Sequence, residues 1–458
     1  MSALDYKQFI DGKRLIDKPT GIEVDHGSLN GDLFDFQQDI VRWALKRGRA
    51  AIFADCGMGK TPMQLTWARH VPGRVLIVTP LAVAAQTVRE SKKFGIDGVK
   101  YLRADDGTTP IPVTNYEMID RFDPENFEGV VLDESSILKS YTGKFRNQLI
   151  NDWGSIRYRL AATATPAPND FMELGSHAEF LGVMTRTDML SHFFVHDGGE
   201  TQKWRLKGHA ESEFWKWLCE WSVMIRKPSD LGYDNGDFLL PNLHISQTTV
   251  DASPDASGML FALEARTMAE RRDARKSSVA ERVNAVADMV NQSDKPWLVW
   301  CDLNSESEAL KKAIDDAVEV TGSDPQEVKE KRLLGFTNGS IRVLVTKPSI
   351  AGWGLNWQHC SHMAFTGLSD SYKQFYQAVR RCWRFGQKSD VNVYVVTSTT
   401  EGAVVANIKR KETDSERMAK MMVDHMAKLN SQNILGATRM DKSYNPNMDL
   451  KVPSFLSR

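Results

Sequence analysis

At 458 residues, with 41% hydrophobic and 26% charged side chains, the chain has the make-up of a soluble globular protein of two to four domains. No apolar run is long enough to span a bilayer, and the N-terminal stretch MSALDYKQFIDGKRL lacks the apolar centre of a secretory signal, so a cytoplasmic protein is expected. Cys56, Cys219, Cys301, Cys360 and Cys382 form no C-x-x-C pair, which argues against a disulfide framework and a cysteine-rich zinc site, while the net charge of −1 neither favours nor excludes nucleic acid.

The predicted elements alternate between strand and helix in two regions, the pattern of parallel α/β domains. In the first, about 33–182, a helix carries Phe36, Ile40, Val41, Ala44 and Leu45 on one face. Strands are predicted at 50–55, 75–79, 113–116, 130–133 and 159–163, each short and apolar, as strands buried on both faces are. The middle, 183–276, is rich in aromatics and lacks this rhythm. Residues 193–207 read as a hairpin around Gly198 and Gly199, with Lys203, Arg205 and Lys207 on one face and Trp204 and Leu206 on the other. Such a row of cations can follow a phosphate backbone or can guard an edge strand. A charged stretch, 264–276, reads as an exposed helix or linker.

The second region, 277–429, has predicted strands at 297–301, 341–346, 363–366 and 391–397, with helices at 306–314 and 372–383. A long amphipathic helix at about 403–429 is expected to close this domain, followed by a tail, 430–458. His177, His192 and His196 have no acidic or cysteine partners at ligand spacing, so no structural metal is expected.

Three motifs carry chemistry. Ala54–Thr61, ADCGMGKT, lies where a strand gives way to a helix: Gly57 and Gly59 let backbone N–H groups wrap a phosphate, Lys60 reaches the phosphates and the Thr61 hydroxyl can bind Mg²⁺. An apolar strand then ends in Asp133 and Glu134, suited to holding the metal and to activating the attacking water. In YKQFYQAVRRCWRFGQ, Arg381 and Arg384 are three apart, which on a helix puts both guanidiniums on one face and lets them clamp a phosphoryl group. Parts split between two domains let a nucleotide drive their closure.

In these motifs and their order the chain resembles the superfamily-two helicase-like ATPases, in particular the Swi/Snf branch and its compact phage and prophage members, over about 33–182 and 290–415. Phe36-Gln37 resembles the adenine-sensing Gln motif, 55–61 motif I, 78–81 motif Ia, 114–117 motif Ib, 133–139 motif II, 163–169 motif III, 347–358 motif V and 377–387 motif VI. The resemblance implies two RecA-like parallel-sheet lobes, 1–182 and 277–429, with the aromatic-rich helical and hairpin region 183–276 inserted between them. It implies ATP and Mg²⁺ as cofactors, with Gln37, Gly57, Gly59, Lys60, Thr61, Gly354 and Gln377 at the nucleotide, Thr61 and Asp133 at the metal, and Lys60, Asp133, Glu134, Arg381 and Arg384 in catalysis. Thr163 and Thr165 would couple hydrolysis to lobe movement, and Thr79, Pro80, Tyr116, Lys347 and Ser349, beside the hairpin cations, would touch nucleic acid. The expected activity is that of an ATP-dependent DNA helicase or translocase acting on duplex, forked or branched DNA. The alternatives are an RNA helicase, against which Gln377 and Gly386-Gln387 argue, and an ATP-gated scaffold. Ser136 stands where this family often has His, and Arg380 and Trp383 stand where a small residue and His are commoner.

Overall fold

The structure, a computed structural model, describes residues 19–29, 31–139, 143–167, 170–196, 204–251, 276–351, 356–369, 371–399 and 402–438. The apolar segments of the first region become β1 (Arg49–Ala54), β2 (Val75–Thr79), β3 (Val99–Tyr101), β4 (Ile111–Asn115), β5 (Gly129–Asp133) and β6 (Tyr158–Thr163). Every residue of β2, β4, β5 and β6 is buried, because helices cover both faces of the sheet. The helix Asp35–Arg47 buries Phe36, Ile40, Val41, Ala44 and Leu45, as their spacing dictates.

The middle region departs from expectation. Its strands β7 (Phe194–His196) and β8 (Trp204–Leu206) pair antiparallel, with Arg205 exposed and Trp204 and Leu206 packed on the core, as their alternation requires. The turn between them, with Lys203, lies outside the described residues, as does most of the charged stretch 264–276. The region is not an insertion throughout. β9 (Ser222–Ile225) runs parallel beside β1, placing Val223 opposite Ile52, and completes a seven-stranded parallel sheet of order β3-β4-β2-β5-β6-β1-β9. The helix Glu211–Trp221 before it buries Phe214, Trp215, Trp217, Leu218 and Trp221 in the core of the first lobe. The boundary at 182 is therefore corrected: the aromatics belong to a helix and strand that extend the first lobe.

The second lobe also starts earlier than 277. β10 (Leu243–Val250) pairs parallel with β15 (Val391–Ser398) and edges a six-stranded parallel sheet of order β10-β15-β14-β11-β13-β12. The other strands are β11 (Trp297–Trp300), β12 (Ala317–Val320), β13 (Val343–Thr346) and β14 (His362–Phe365). Two RecA-like lobes thus stand, as expected, each a parallel sheet flanked by helices.

The C-terminal helix is the largest correction. It runs over Gly402–Thr438, longer than expected, and instead of closing the second lobe it crosses back to the first. Met418, Met422 and Met426, four residues apart on one face, enter the cluster that holds Trp215, Trp217 and Trp221, and His425 stacks on Trp215 with ring centroids 5.0 Å apart. Ile434 joins a second cluster of the first lobe. Residues 439–458 of the expected tail lie outside the described residues. Met422 is 1% exposed, so Met422→Ala is expected to destabilise the first lobe by about 2–5 kcal/mol in chemical denaturation, the usual cost of emptying a core position. A change under about 0.5 kcal/mol would show that the helix is not docked there. Among the described residues no helix is long and apolar enough to cross a membrane.

Candidate active site

β1 ends at the buried Ala54, and the chain turns through Asp55–Gly59 into the helix Lys60–His70. Two glycines make that turn. Gly57 and Gly59 have φ of 90° and 81°, and a Cβ on Gly59 would lie 2.2 Å from the Gln37 side-chain nitrogen. On Gly57 it would lie 2.9 Å from the backbone nitrogen of Phe385, a second-lobe residue, so glycine here is what lets the lobes touch. The Lys60 ammonium folds back on the loop, donating to the carbonyls of Ala54 at 2.8 Å and Asp55 at 3.3 Å. Gln37 is braced in the same way: its amide donates to the Met58 carbonyl and accepts from the Phe34 N–H.

β5 delivers Asp133 and Glu134. The Asp133 carboxylate accepts from Gln64 at 2.8 Å and from Thr79 at 3.1 Å. Burial, then the adjacent Glu134 charge, raise its pKa, against the opposing pull of Gln64, Lys60 and Thr79. Glu134 has φ of 54°, the one positive value among the described non-glycine residues. A left-handed backbone on a glutamate is unfavourable, and such strain collects where a side chain must be aimed. Here it turns the carboxylate into the cleft, 3.5 Å from the Thr163 hydroxyl that donates to it. That hydroxyl also accepts from the Thr165 N–H at 3.2 Å, which links Glu134 to the end of β6.

The second lobe brings Arg381 and Arg384 to the opposite wall. The expected helix over 372–383 stops at Val379, and the arginines sit on the irregular turns that follow. They converge nonetheless, because both line one cleft together with Gln37, Gly57, Gly59, Lys60, Thr61, Asp133 and Glu134. Arg381 donates through Nε to the Gln377 carbonyl at 3.0 Å, and Arg384 donates to the Asn356 side chain. Burial, opposed by neighbouring anionic groups, lowers the pKa of Arg381; burial and then the Arg381 charge bring Arg384 to about 10. Two buried guanidiniums on one wall of the cleft can receive an anion.

Other expected site residues are not in the cleft. Thr79 is fully buried with its hydroxyl on Asp133, and Tyr116 is 3% exposed with its hydroxyl donating to the Asp133 carbonyl. Both are corrected from nucleic-acid contacts to supports of the Asp-Glu pair. Gln377 is buried and does not line the cleft. Lys207 spends its ammonium on the Ser191 and His192 carbonyls at a helix end. Pro80 is half-buried after β2; Lys347 and Ser349 share a polar pocket after β13 with Asn304, Ser307 and Thr321. Gly354 lies outside the described residues.

Several site residues had escaped notice. Gln64 follows Lys60 by one helical turn and so faces Asp133, a spacing that was readable. Phe34, Phe238 and Phe385 wall the cleft beside Gln37, with the Phe238 and Phe385 centroids 4.5 Å apart; only the fold unites them. Next to Ser136, where the family's His is missing, Ser135 pairs with the buried His177 at 3.1 Å, and burial lowers that imidazole to about 4, leaving it neutral.

Two parallel α/β lobes that meet at one cleft, one bringing a glycine loop and an Asp-Glu pair and the other two arginines, define a protein of the two-lobed, helicase-like class. The helicase conserved C-terminal domain matches residues 281–386, in the second lobe. The chain is 23% identical over 434 residues to the DNA annealing helicase and endonuclease ZRANB3 of Mus musculus, covering 84% of this chain and 40% of that protein. It is 22% identical over 426 residues to the SWI/SNF-related matrix-associated actin-dependent regulator of chromatin subfamily A-like protein 1 homolog of Caenorhabditis elegans, covering 84% of this chain and 62% of that one. It therefore spans less than two thirds of either relative. The second lobe thus carries the helicase conserved C-terminal domain, and the chain as a whole is similar to Swi/Snf-related helicase-like proteins. These relatives are animal proteins and lend no support to the expected phage type.

Proposed function

We propose that this chain is a DNA-directed ATPase that couples hydrolysis to movement on, or remodelling of, DNA. The observation that carries the reading is the shared cleft: Lys60, Asp133 and Glu134 of one lobe face Arg381 and Arg384 of the other. ATP would bind with its phosphates on the loop N–H groups and Lys60, whose present carbonyl partners are weak enough to exchange for phosphate oxygens. The residues fit a magnesium ion: burial and the Glu134 charge raise the cost of ionising Asp133, which a divalent cation offsets, and Asp133 and Thr61 would hold it. Once bound, the ion would neutralise charge on the phosphates. Glu134 takes the proton of the attacking water, and Arg381 and Arg384 stabilise charge on the transferring phosphoryl group. Thr163 relays the state of Glu134 to the lobe interface.

The nucleic acid is proposed to cross both lobes at the carboxyl ends of β2 and β13, past Pro80, Lys347 and Ser349, with Arg205 as an outlying contact. The names of the relatives, an annealing helicase acting on DNA and a chromatin regulator, favour DNA. Hydrolysis measured in parallel with duplex, single-stranded, forked and RNA ligands tests this. DNA is expected to stimulate more than RNA, with affinity falling steeply as salt rises because phosphate contacts dominate. Equal or stronger stimulation by RNA would overturn the DNA assignment, and no hydrolysis with any ligand would reduce the chain to a scaffold.

A further inference from the structure

Asp55, the residue between β1 and the phosphate loop, is gripped from the other lobe. Arg380 donates to its Oδ2 at 2.5 Å, and the Tyr376 hydroxyl donates to its Oδ1, which also accepts from the Cys56 N–H at 2.7 Å. Arg380 is 3% exposed and Asp55 8% exposed. The guanidinium is held between two rings, 5.2 Å from the Tyr376 centroid and 4.5 Å from that of Trp383. Trp383 is tied in turn to the connection between the lobes, its indole N–H donating to the Pro241 carbonyl at 2.7 Å. These are cross-lobe contacts at a seam beside the nucleotide cleft.

The geometry points to Arg380 and Tyr376 as positioning residues that clamp the phosphate loop through Asp55 and hold the lobes in register before nucleotide arrives. The inference rests on the ATPase reading for its kinetic consequence but not for its structural one. Arg380 precedes Arg381 in the chain, and Asp55 begins the loop that Lys60 and Gly57 complete. One ion pair therefore sets the distance between the phosphate-binding loop and the arginines that face it. A shift of the turn at 380–384 away from Asp55 would also carry Phe385 off Gly57. A buried carboxylate bonded on both oxygens is not readily given up to water: burial pushes the Asp55 carboxyl up, yet Arg380, Tyr376 and Cys56 together hold it below its ordinary value. With closure prepaid, ATP spends less of its binding free energy on bringing the lobes together.

The full chain without nucleotide tests the clamp by hydrogen–deuterium exchange over residues 55–61 and 381–386. Arg380→Met keeps the stem between the rings and removes the charge; Tyr376→Phe removes one hydroxyl; Arg380→Lys keeps the charge. Exchange in both segments is expected to rise about tenfold in Arg380→Met, less in Tyr376→Phe, and to stay within about threefold of the parent in Arg380→Lys. Peptides from β4 and β14 report whether a variant has simply lost its fold, and Tyr376→Phe then remains the decisive variant. In hydrolysis assays Arg380→Met is expected to raise KM for ATP about tenfold with kcat within about twofold, the mark of lost preorganisation. Parent-like exchange in both Arg380→Met and Tyr376→Phe would overturn the clamp. So would a collapse of kcat at unchanged KM in Arg380→Met, which would place Arg380 on the reacting phosphate. A parent that hydrolyses no ATP defeats the ATPase reading alone, and the exchange data still decide the clamp.

Discussion

Glu134→Gln is expected to lower ATP turnover by about 10³-fold, the middle of the range for losing a positioned general base, while ATP affinity stays within a few-fold of the parent. The substitution is nearly isosteric, so the strained backbone at φ 54° and the contact with Thr163 survive, and only the ability to accept a proton is lost. Lys60→Ala separates binding from chemistry at the same site. It removes the one lysine that the phosphate loop folds over itself, and the expected loss is chiefly in nucleotide affinity. Equilibrium binding of a non-hydrolysable ATP analogue beside steady-state turnover distinguishes the two. Normal DNA-stimulated turnover in Glu134→Gln would remove Glu134 from the role of base.

What could be read beforehand followed from short-range chemistry. The apolar runs that become β2, β5 and β13 are buried on both sides, so their composition alone marks them as central strands. Gly57, Gly59 and Lys60 are legible as a turn because a glycine-rich link from strand to helix is local, and Asp133-Glu134 because the apolar run before them marks where the strand ends. The failures are all matters of long range. Residues 222–225 read as the tail of an aromatic insertion because nothing local says that Ser222–Ile225 will pair with β1, more than 160 residues earlier in the chain. The 402–438 helix has an amphipathic face that fits either lobe, and only the Trp215 and Trp217 surface waiting on the first lobe decides where Met422 goes. The resemblance to motifs Ia and Ib puts Thr79 and Tyr116 on nucleic acid, yet burial turns both hydroxyls inward to Asp133. Arg380 and Trp383 stood out as departures from the family pattern, and their meaning depends on Asp55, which sequence separation hid.

Arg381→Ala and Arg384→Ala are each expected to cut turnover by about 10³-fold or more, the scale of an arginine supplied across an active-site cleft. The fold should tolerate both changes, because both guanidiniums face the cleft rather than a packed core. Removing either also relieves a repulsion: the Arg381 charge is one reason that Arg384 falls to about 10. That relief predicts a folded chain no less stable than the parent. Lysine should not rescue either position, because a point charge cannot present two parallel donors to a phosphoryl group. The double substitution should cost little more than one of the singles, since both arginines act on the same developing charge and the loss of one already disables the unit. DNA affinity without ATP should change little, because neither residue lies at the polar pocket of Lys347 and Ser349. Turnover, thermal unfolding and DNA binding measured on the same three variants separate these effects. Strictly additive losses would mean that the arginines serve two different steps, and parent-like turnover in both singles would leave the turn after Val379 as no more than a basic wall of the cleft.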